Sequence, residues 1–183
     1  MKTETTFLKI VRLTVTLLVI CAAMAAVLAG VNAITKEPIA NSKMQKTEAA
    51  IQQVLPGASN LEVLPLTGDT GIVKTVYASE AGYAVEVVPA GFGGGITMMV
   101  GIADGKVTGI SVISHAETPG LGAVAAATNA KGNAFRVQFE GLTGGIFVGE
   151  GDNGITAISG ATITSKAVVN GVNAALEYVQ NLG

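Results

Sequence analysis

The sequence predicts an α+β protein: one N-terminal transmembrane helix, then a single domain with a twisted, largely antiparallel sheet and flanking helices. Three observations lead there. Leu13–Thr35 runs for 23 residues without a charge. From Leu61 onward, short β-rich runs follow one another between glycine turns. Near the other end, Val168, Val169, Val172, Leu176 and Val179 form an apolar stripe at helical spacing.

Composition narrows the function classes. A length of 183 residues suits one domain plus an extra segment and is enough to bury a core. Hydrophobic residues make up 49% and charged residues 13%, against about 25% charged in an ordinary soluble domain. A net charge of −2 with no basic cluster argues against a nucleic-acid partner. One histidine and one cysteine cannot build an internal disulfide or a His/Cys metal site within this chain. Zinc, iron–sulfur and haem ligation by the chain itself are therefore not expected.

Residues 1–12 read as a cytoplasmic tail and residues 13–35 as the membrane span. At about 1.5 Å per residue the span covers about 34 Å, enough for a hydrocarbon core of about 30 Å. A cleaved signal peptide is the alternative, because Val31-Asn32-Ala33 is a passable small-residue cleavage site. The run exceeds the usual apolar region of such peptides, which favours a retained anchor in the lipid bilayer. Cys21 within it reads as a small membrane-embedded hydrophobe. Lys2, Lys9 and Arg12 precede the span, while Lys36, Lys43 and Lys46 follow it, so the positive-inside count is a tie. The free amino terminus tilts it slightly towards an inside N-terminus.

Residues 36–60 read as a linker carrying a helix from a cap at Asn41 or Ser42 to about Val54, stopped by Pro56-Gly57. The domain proper is 61–183. Ile72–Glu80, Ala84–Val88, Ile96–Ile102 and Lys106–Ser114 are expected strands, the last two joined by a hairpin at Ala103-Asp104-Gly105. Gly122–Ala130 is alanine-rich and expected to be helical. Phe135–Phe139 and Ile146–Val148 read as further strands, and the final helix as starting near Ser165.

The segment that carries chemistry lies directly before that helix: Ile158-Ser159-Gly160-Ala161-Thr162-Ile163-Thr164-Ser165. Small hydroxylated residues and glycine at a helix start suit an anion, because first-turn N–H groups lack intrahelical partners and the positive dipole end points outward. An ordinary Ser/Thr cap on a loop is the alternative at this point. Glu150-Gly151-Asp152-Asn153-Gly154 has too few alternate ligands for a calcium loop and reads as a solvated turn. His115 reads as a hydrogen-bonded structural histidine or a proton donor. Met98 and Met99 read as core.

Ser159-Gly160-Ala161-Thr162 followed by Ile163-Thr164-Ser165 resembles the flavinylation motif of FMN-binding subunits of membrane redox pumps. These are the G subunit of the Rnf complex (ferredoxin:NAD oxidoreductase) and the related C subunit of the sodium-translocating NADH:quinone oxidoreductase. Two further segments are similar to the family's in the same order: Gly91-Phe92-Gly93-Gly94-Gly95-Ile96, and His115-Ala116-Glu117-Thr118-Pro119-Gly120-Leu121-Gly122. The resemblance covers about Leu61 to Gly183 and favours the Rnf G subunit. It implies FMN held covalently through a phosphoester to Thr162. It also implies a cofactor site including Glu117, Thr118, Gly120, Leu121, Ser159, Gly160, Ala161, Thr164 and Ser165, on an extracytoplasmic domain. One position departs from the pattern. The family usually has an acid three residues before the motif's serine, where this chain has Thr156.

A threonine hydroxyl is a poor nucleophile without a base, and the local sequence offers none. Attachment therefore calls for a separate flavin transferase. The implied role is a one-flavin electron relay within a multi-subunit, ion-translocating oxidoreductase of the cell membrane, a translocase part that does not turn over alone. The chain has no Gly-x-Gly-x-x-Gly after a strand and no ferredoxin-type cysteines, so electron-donor sites belong to other subunits. The alternatives are a membrane-anchored ligand-binding or assembly subunit without a redox role, and the FMN domain of a different extracytoplasmic reductase. The colour of the purified protein separates the first of these from a flavoprotein.

Overall fold

The computed structural model describes residues 2–66 and 71–182. Met1, residues 67–70 and Gly183, which fall in the expected 1–12 tail and 61–183 domain, lie outside the described residues. The chain divides into two compact units, Met1–Gln45 and Lys46–Gly183.

Helix α1 (Lys2–Val54) is a single helix of 53 residues with Pro38 inside it. The expected second helix start is absent, and Asn41 and Ser42 lie within α1. Proline removes its own N–H bond and crowds the carbonyl four residues back, yet the helix continues through it, with no glycine nearby to end it. In the first unit, Leu13, Leu18, Leu28 and Ile34 are each between 65% and 80% exposed. The hydroxyls of Thr14, Thr16 and Thr35 donate to the carbonyls of Ile10, Arg12 and Val31, at 3.0, 2.8 and 2.7 Å. Polar groups turned inward on an apolar surface, at a mean hydropathy of 2.5, give this helix the length and composition of a membrane span.

The second unit is built on a five-stranded sheet of order β1-β2-β3-β4-β5. The strands are β1 (Glu62–Leu64), β2 (Val73–Ser79), β3 (Gly82–Val87), β4 (Thr97–Ala103) and β5 (Lys106–Ser114). Every pairing is antiparallel. The four longer strands match those expected, while the three-residue β1 carries too short a pattern to be read. Ala103 pairs with Lys106 across a two-residue turn in which Asp104 and Gly105 take φ of 52° and 71°. Both central residues with positive φ define the primed turn that matches strand twist, which is what the Asp-Gly pair signals.

Both sheet faces are covered. On one, Val85, Val87, Met98 and Val100 pack with Val168, Val172 and Leu176 of α3 (Thr162–Gln180). On the other, Ala84 and Met99 pack with Ala50, Ile51, Val54 and Leu55 from the end of α1. Buried alternation therefore becomes a continuous buried run in β4, from Met98 to Ile102. Both methionines are fully buried core residues, as expected. The contact under α1 is backbone-close. A Cβ at Gly101 would stand 2.4 Å from the Val54 carbonyl oxygen. That oxygen, one of those a helix end leaves unpaired, accepts the Thr108 hydroxyl.

Three expectations are corrected here. Phe135–Phe139 is not a strand: α2 (Ala130–Arg136) runs into a 3₁₀ turn at Val137–Phe139. Asn129 caps α2 through the Gly132 N–H. The two phenylalanines, four residues apart on one helical face, meet edge-on with ring centroids 5.5 Å apart. Gly122–Ala130 holds only a 3₁₀ helix, Gly122–Ala126, before that cap. Helix α3 starts at Thr162 instead of near Ser165, because Ser165 N–H already bonds the Ala161 carbonyl. The strand expected at Ile146–Val148 is β6 (Phe147–Val148), paired in parallel with β7 (Gly154–Ile155).

Gly101→Ala is expected to destabilise the second unit by about 1–3 kcal/mol, the usual cost of overpacking a close contact. Gly105→Asn, at a turn position where Asn tolerates positive φ, costs less. Denaturant midpoints of the two variants measure the difference.

Candidate functional site

Three segments far apart in sequence meet at one cavity of about 380 Å³, within the range of small-molecule pockets. The first is the turn between β3 and β4, where Gly91 N–H bonds the Gly94 carbonyl at 2.7 Å and leaves Phe92 70% exposed at the tip. The second is the loop after β5, supplying Glu117, Thr118, Leu121 and Gly122. The third is the entry to α3. Ala161 N–H closes a tight turn onto the Ile158 carbonyl at 2.9 Å, with Gly160 at φ 74°. Gly160, Ala161, Thr162, Ile163 and Thr164 then face the cavity.

The start of α3 has an open end. Ala161, its N-cap residue, makes no side-chain cap bond, and no acid stands in the first turn. The first-turn amides are thus left to whatever enters the cavity. The hydroxyls expected to cap are used elsewhere. Ser165 Oγ, fully buried, accepts the Ile158 N–H at 2.9 Å and donates to the Ala161 carbonyl at 3.0 Å, stapling the turn to the helix. Thr164, 1% exposed, donates its hydroxyl to Glu117 Oε2. Thr162 is exposed.

Glu117 joins all three segments. The residue is 6% exposed. Oε1 accepts the Gly93 N–H at 2.9 Å, and Oε2 accepts the Thr164 hydroxyl. A Cβ at Gly91 or Gly122 would stand 2.4 or 2.3 Å from those oxygens, so the carboxylate fills space that the two glycines vacate. At Gly93 a Cβ would meet the Ala116 carbonyl oxygen at 2.0 Å. Burial pushes the Glu117 pKa up, but the Thr164 hydroxyl, the backbone N–H groups of Gly93 and Phe92, and the nearby His115 outweigh it, leaving the carboxyl below its ordinary value. His115 itself is tied into the loop, its Nδ1 accepting the Glu117 N–H at 3.2 Å.

The cavity gathers seven of the ten site residues the sequence suggested: Glu117, Thr118, Leu121, Gly160, Ala161, Thr162 and Thr164. Gly120, Ser159 and Ser165 are not on its wall; the first two are exposed beside it and Ser165 lies buried. Phe92, Gly122 and Ile163 were not among the ten and do line it. The signal for Ile163 was one large apolar residue in a run of small polar ones. Its side chain is 54% exposed, and Leu121 opposite is 44% exposed. The donor set suits a ligand with an anionic end and a flat apolar body: free helix amides at one part, Phe92, Leu121 and Ile163 at another.

Folding lowers the Glu117 pKa below its ordinary 4.5, so the ion contributes stability above that value, and the contribution is lost as pH falls through the folded value. Glu117→Gln is accordingly expected to melt below the parent at neutral pH, with the gap closing as the pH drops past 4.5. Thermal melts across that range, followed by circular dichroism, measure it.

Two families match this chain: the RnfG N-terminal region over residues 1–54 and the FMN-binding domain over residues 91–177. The first match ends where α1 ends, and the second begins at the Phe92 turn and ends within α3. The G subunit of the Na(+)-translocating ferredoxin:NAD(+) oxidoreductase complex of Acetobacterium woodii is 37% identical, over 91% of this chain and 89% of that one. The G subunit of the ion-translocating oxidoreductase complex of Methanosarcina acetivorans is 32% identical over 93% and 95%. The G subunit of the proton-translocating ferredoxin:NAD(+) oxidoreductase complex of Clostridium ljungdahlii is 41% identical over 58% and 60%. With similarity along nearly its whole length, this chain belongs to the RnfG family, the G subunits of Rnf-type ion-translocating oxidoreductase complexes.

Proposed function

We propose that this chain is the electron-relay subunit of a membrane-bound, ion-translocating oxidoreductase complex, carrying FMN joined by a phosphoester to Thr162. The observation that carries the reading is the cavity at the start of α3, where uncapped helix amides, an exposed threonine and an apolar rim converge. The amides of Thr162, Ile163 and Thr164 suit a phosphate group, and the helix dipole adds to the attraction. Phe92, Leu121 and Ile163 offer the apolar surface for a ring system. FMN held there would supply reversible one- and two-electron redox chemistry.

On the first turn of α3, the chain's own groups favour Thr162 as the hydroxyl to be modified. There, Thr164 is buried and bonded to Glu117, Ser165 is buried and bonded to Ala161, and Thr162 is exposed on the cavity wall. They also favour an outside enzyme for the attachment. Glu117 is committed to Thr164 and Gly93, and His115 Nδ1 to a backbone amide, so neither is free to take the Thr162 proton. A separate flavin transferase acting on a flavin dinucleotide fits that arrangement. Thr156, where the family usually has an acid, is exposed, and its backbone is bonded both ways to the Gln138 amide, at 2.8 and 3.4 Å.

The relatives are named for sodium translocation in one case and proton translocation in another. A subunit that carries electrons and leaves the ion to others fits both. The domain's placement on the extracytoplasmic side rests on the family resemblance and, weakly, on charges around the span.

With a transferase co-expressed, the membrane-purified protein is expected to show the mass of one FMN less water and to fluoresce in a denaturing gel. Thr162→Ala loses both signals. Thr164→Ala keeps the linkage but loses about 1–3 kcal/mol, because a buried carboxylate forfeits a donor. Fluorescence that survives in Thr162→Ala would overturn the acceptor assignment, and a colourless parent protein would overturn the flavoprotein reading.

A membrane-impermeant thiol reagent is expected to label Gln180→Cys in intact cells, in a Cys21→Ser background. Labelling only after lysis would reverse the topology.

A further inference from the structure

The cavity wall holds one buried charge, and among the described residues that charge has no counter-ion in contact. Glu117 is 6% exposed and lines the cavity. Its oxygens are met by the backbone N–H groups of Gly93 and Phe92 and by the Thr164 hydroxyl, all neutral donors. His115 acts on the carboxylate only through space: its Nδ1 accepts the Glu117 N–H, and it makes no bond to the carboxylate oxygens. The other deeply buried charge in the second unit that could offset it, Arg136, is turned elsewhere. Its guanidinium donates to the carbonyls of Ala125 and Ala127, at 2.7 and 2.9 Å, and to the Asn133 side chain. Neutral donors stabilise an anion without cancelling its field, and across protein atoms that field is screened less than in bulk water.

We infer that Glu117 sets the redox potential of the carrier in this cavity: its buried carboxylate holds a fixed negative charge in the wall, and so biases the bound flavin towards its oxidised form. The inference rests on the flavin reading of the site. The physical step is short. Added electrons raise the negative charge in the cavity unless protons follow them, and a fixed anion in the wall opposes that rise. Glu117 also braces the first turn of α3 through Thr164, so shape and charge have to be separated.

Two substitutions separate them. Glu117→Gln keeps the length and at least one acceptor but removes the charge. Glu117→Asp keeps the charge but is one methylene too short to span Gly93 and Thr164. The experiment is a dye-mediated reductive titration of FMN-loaded, detergent-solubilised full-length protein, with covalent flavin content measured on the same samples. A shift to a more positive midpoint is expected in Glu117→Gln, and a midpoint nearer the parent in Glu117→Asp. Glu80→Gln, at an exposed acid in the β2–β3 turn, is expected to leave the midpoint unmoved. Should Glu117→Gln not accumulate, Ile163→Lys places a cation on the same wall and is expected to shift the midpoint positively with Glu117 intact. An unmoved midpoint in flavin-loaded Glu117→Gln, or in Ile163→Lys where that variant replaces it, overturns the inference alone. So does an Asp variant that shifts as far as the Gln variant, which would show a shape effect. A parent protein that carries no flavin overturns the site reading and this inference with it.

Discussion

A carboxylate buried beneath a surface cavity has to be surrounded by donors, and meeting that requirement for Glu117 organises the whole site. Oε1 needs the Gly93 amide, so the turn before β4 must fold back over the loop after β5. Oε2 needs the Thr164 hydroxyl, so the start of α3 must come to the same point. The space comes from missing side chains at Gly91 and Gly122. Leaving such an ion with fewer partners costs far more than a neutral gap would. Three loops that could each wander are held to one geometry by a single side chain. The glycine richness of the first and second segments is therefore a packing requirement of the carboxylate more than a source of flexibility.

The layers beneath serve the same end. α3 can present its first turn at the cavity because Val168, Val172 and Leu176 fix the rest of it on the sheet. The sheet in turn is covered on its other face by Ala50, Ile51 and Val54, at the close of the helix whose earlier part has the composition of a membrane span. Gly101 and Thr108 mark how tight that second contact is, one by lacking a side chain and the other by meeting the Val54 carbonyl. Both faces being buried explains why β4 reads as an unbroken apolar run instead of alternating.

Much of this was legible in the sequence where the signal is local. The strands flanking Asp104-Gly105 follow from turn chemistry, and the apolar stripe of α3 from its period. The failures have the same origin read in reverse. Phe135-Arg136-Val137-Gln138-Phe139 alternates at period two and also places its phenylalanines four apart, so periodicity alone cannot choose. The Asn129 cap decides it for the helix. Thr164 and Ser165 look like capping residues at a helix start, yet the helix begins at Thr162 and both hydroxyls serve contacts of their own. The bond between Thr164 and Glu117 spans 47 residues, and nothing near either residue announces it. The family resemblance brought the two segments under suspicion together; only the fold shows that they touch.

That contact also bears on why a covalent link would be useful here. The cavity is wide at its rim, where Phe92 is 70% exposed and Ile163 54% exposed, so apolar burial can hold a ring only in part. Helix amides attract a phosphate, but the effect is modest at a surface and weakened by salt. A site with those terms alone would exchange its ligand and stand largely empty wherever free flavin is scarce. A phosphoester to Thr162 would remove that dependence without enclosing the ring. The rim could then stay open, as electron exchange with neighbouring subunits requires. On this reading the division of labour is clear. Attachment would supply occupancy, Glu117 and its glycines would supply position, and the exposed apolar edge would remain free for the partners between which the electron passes.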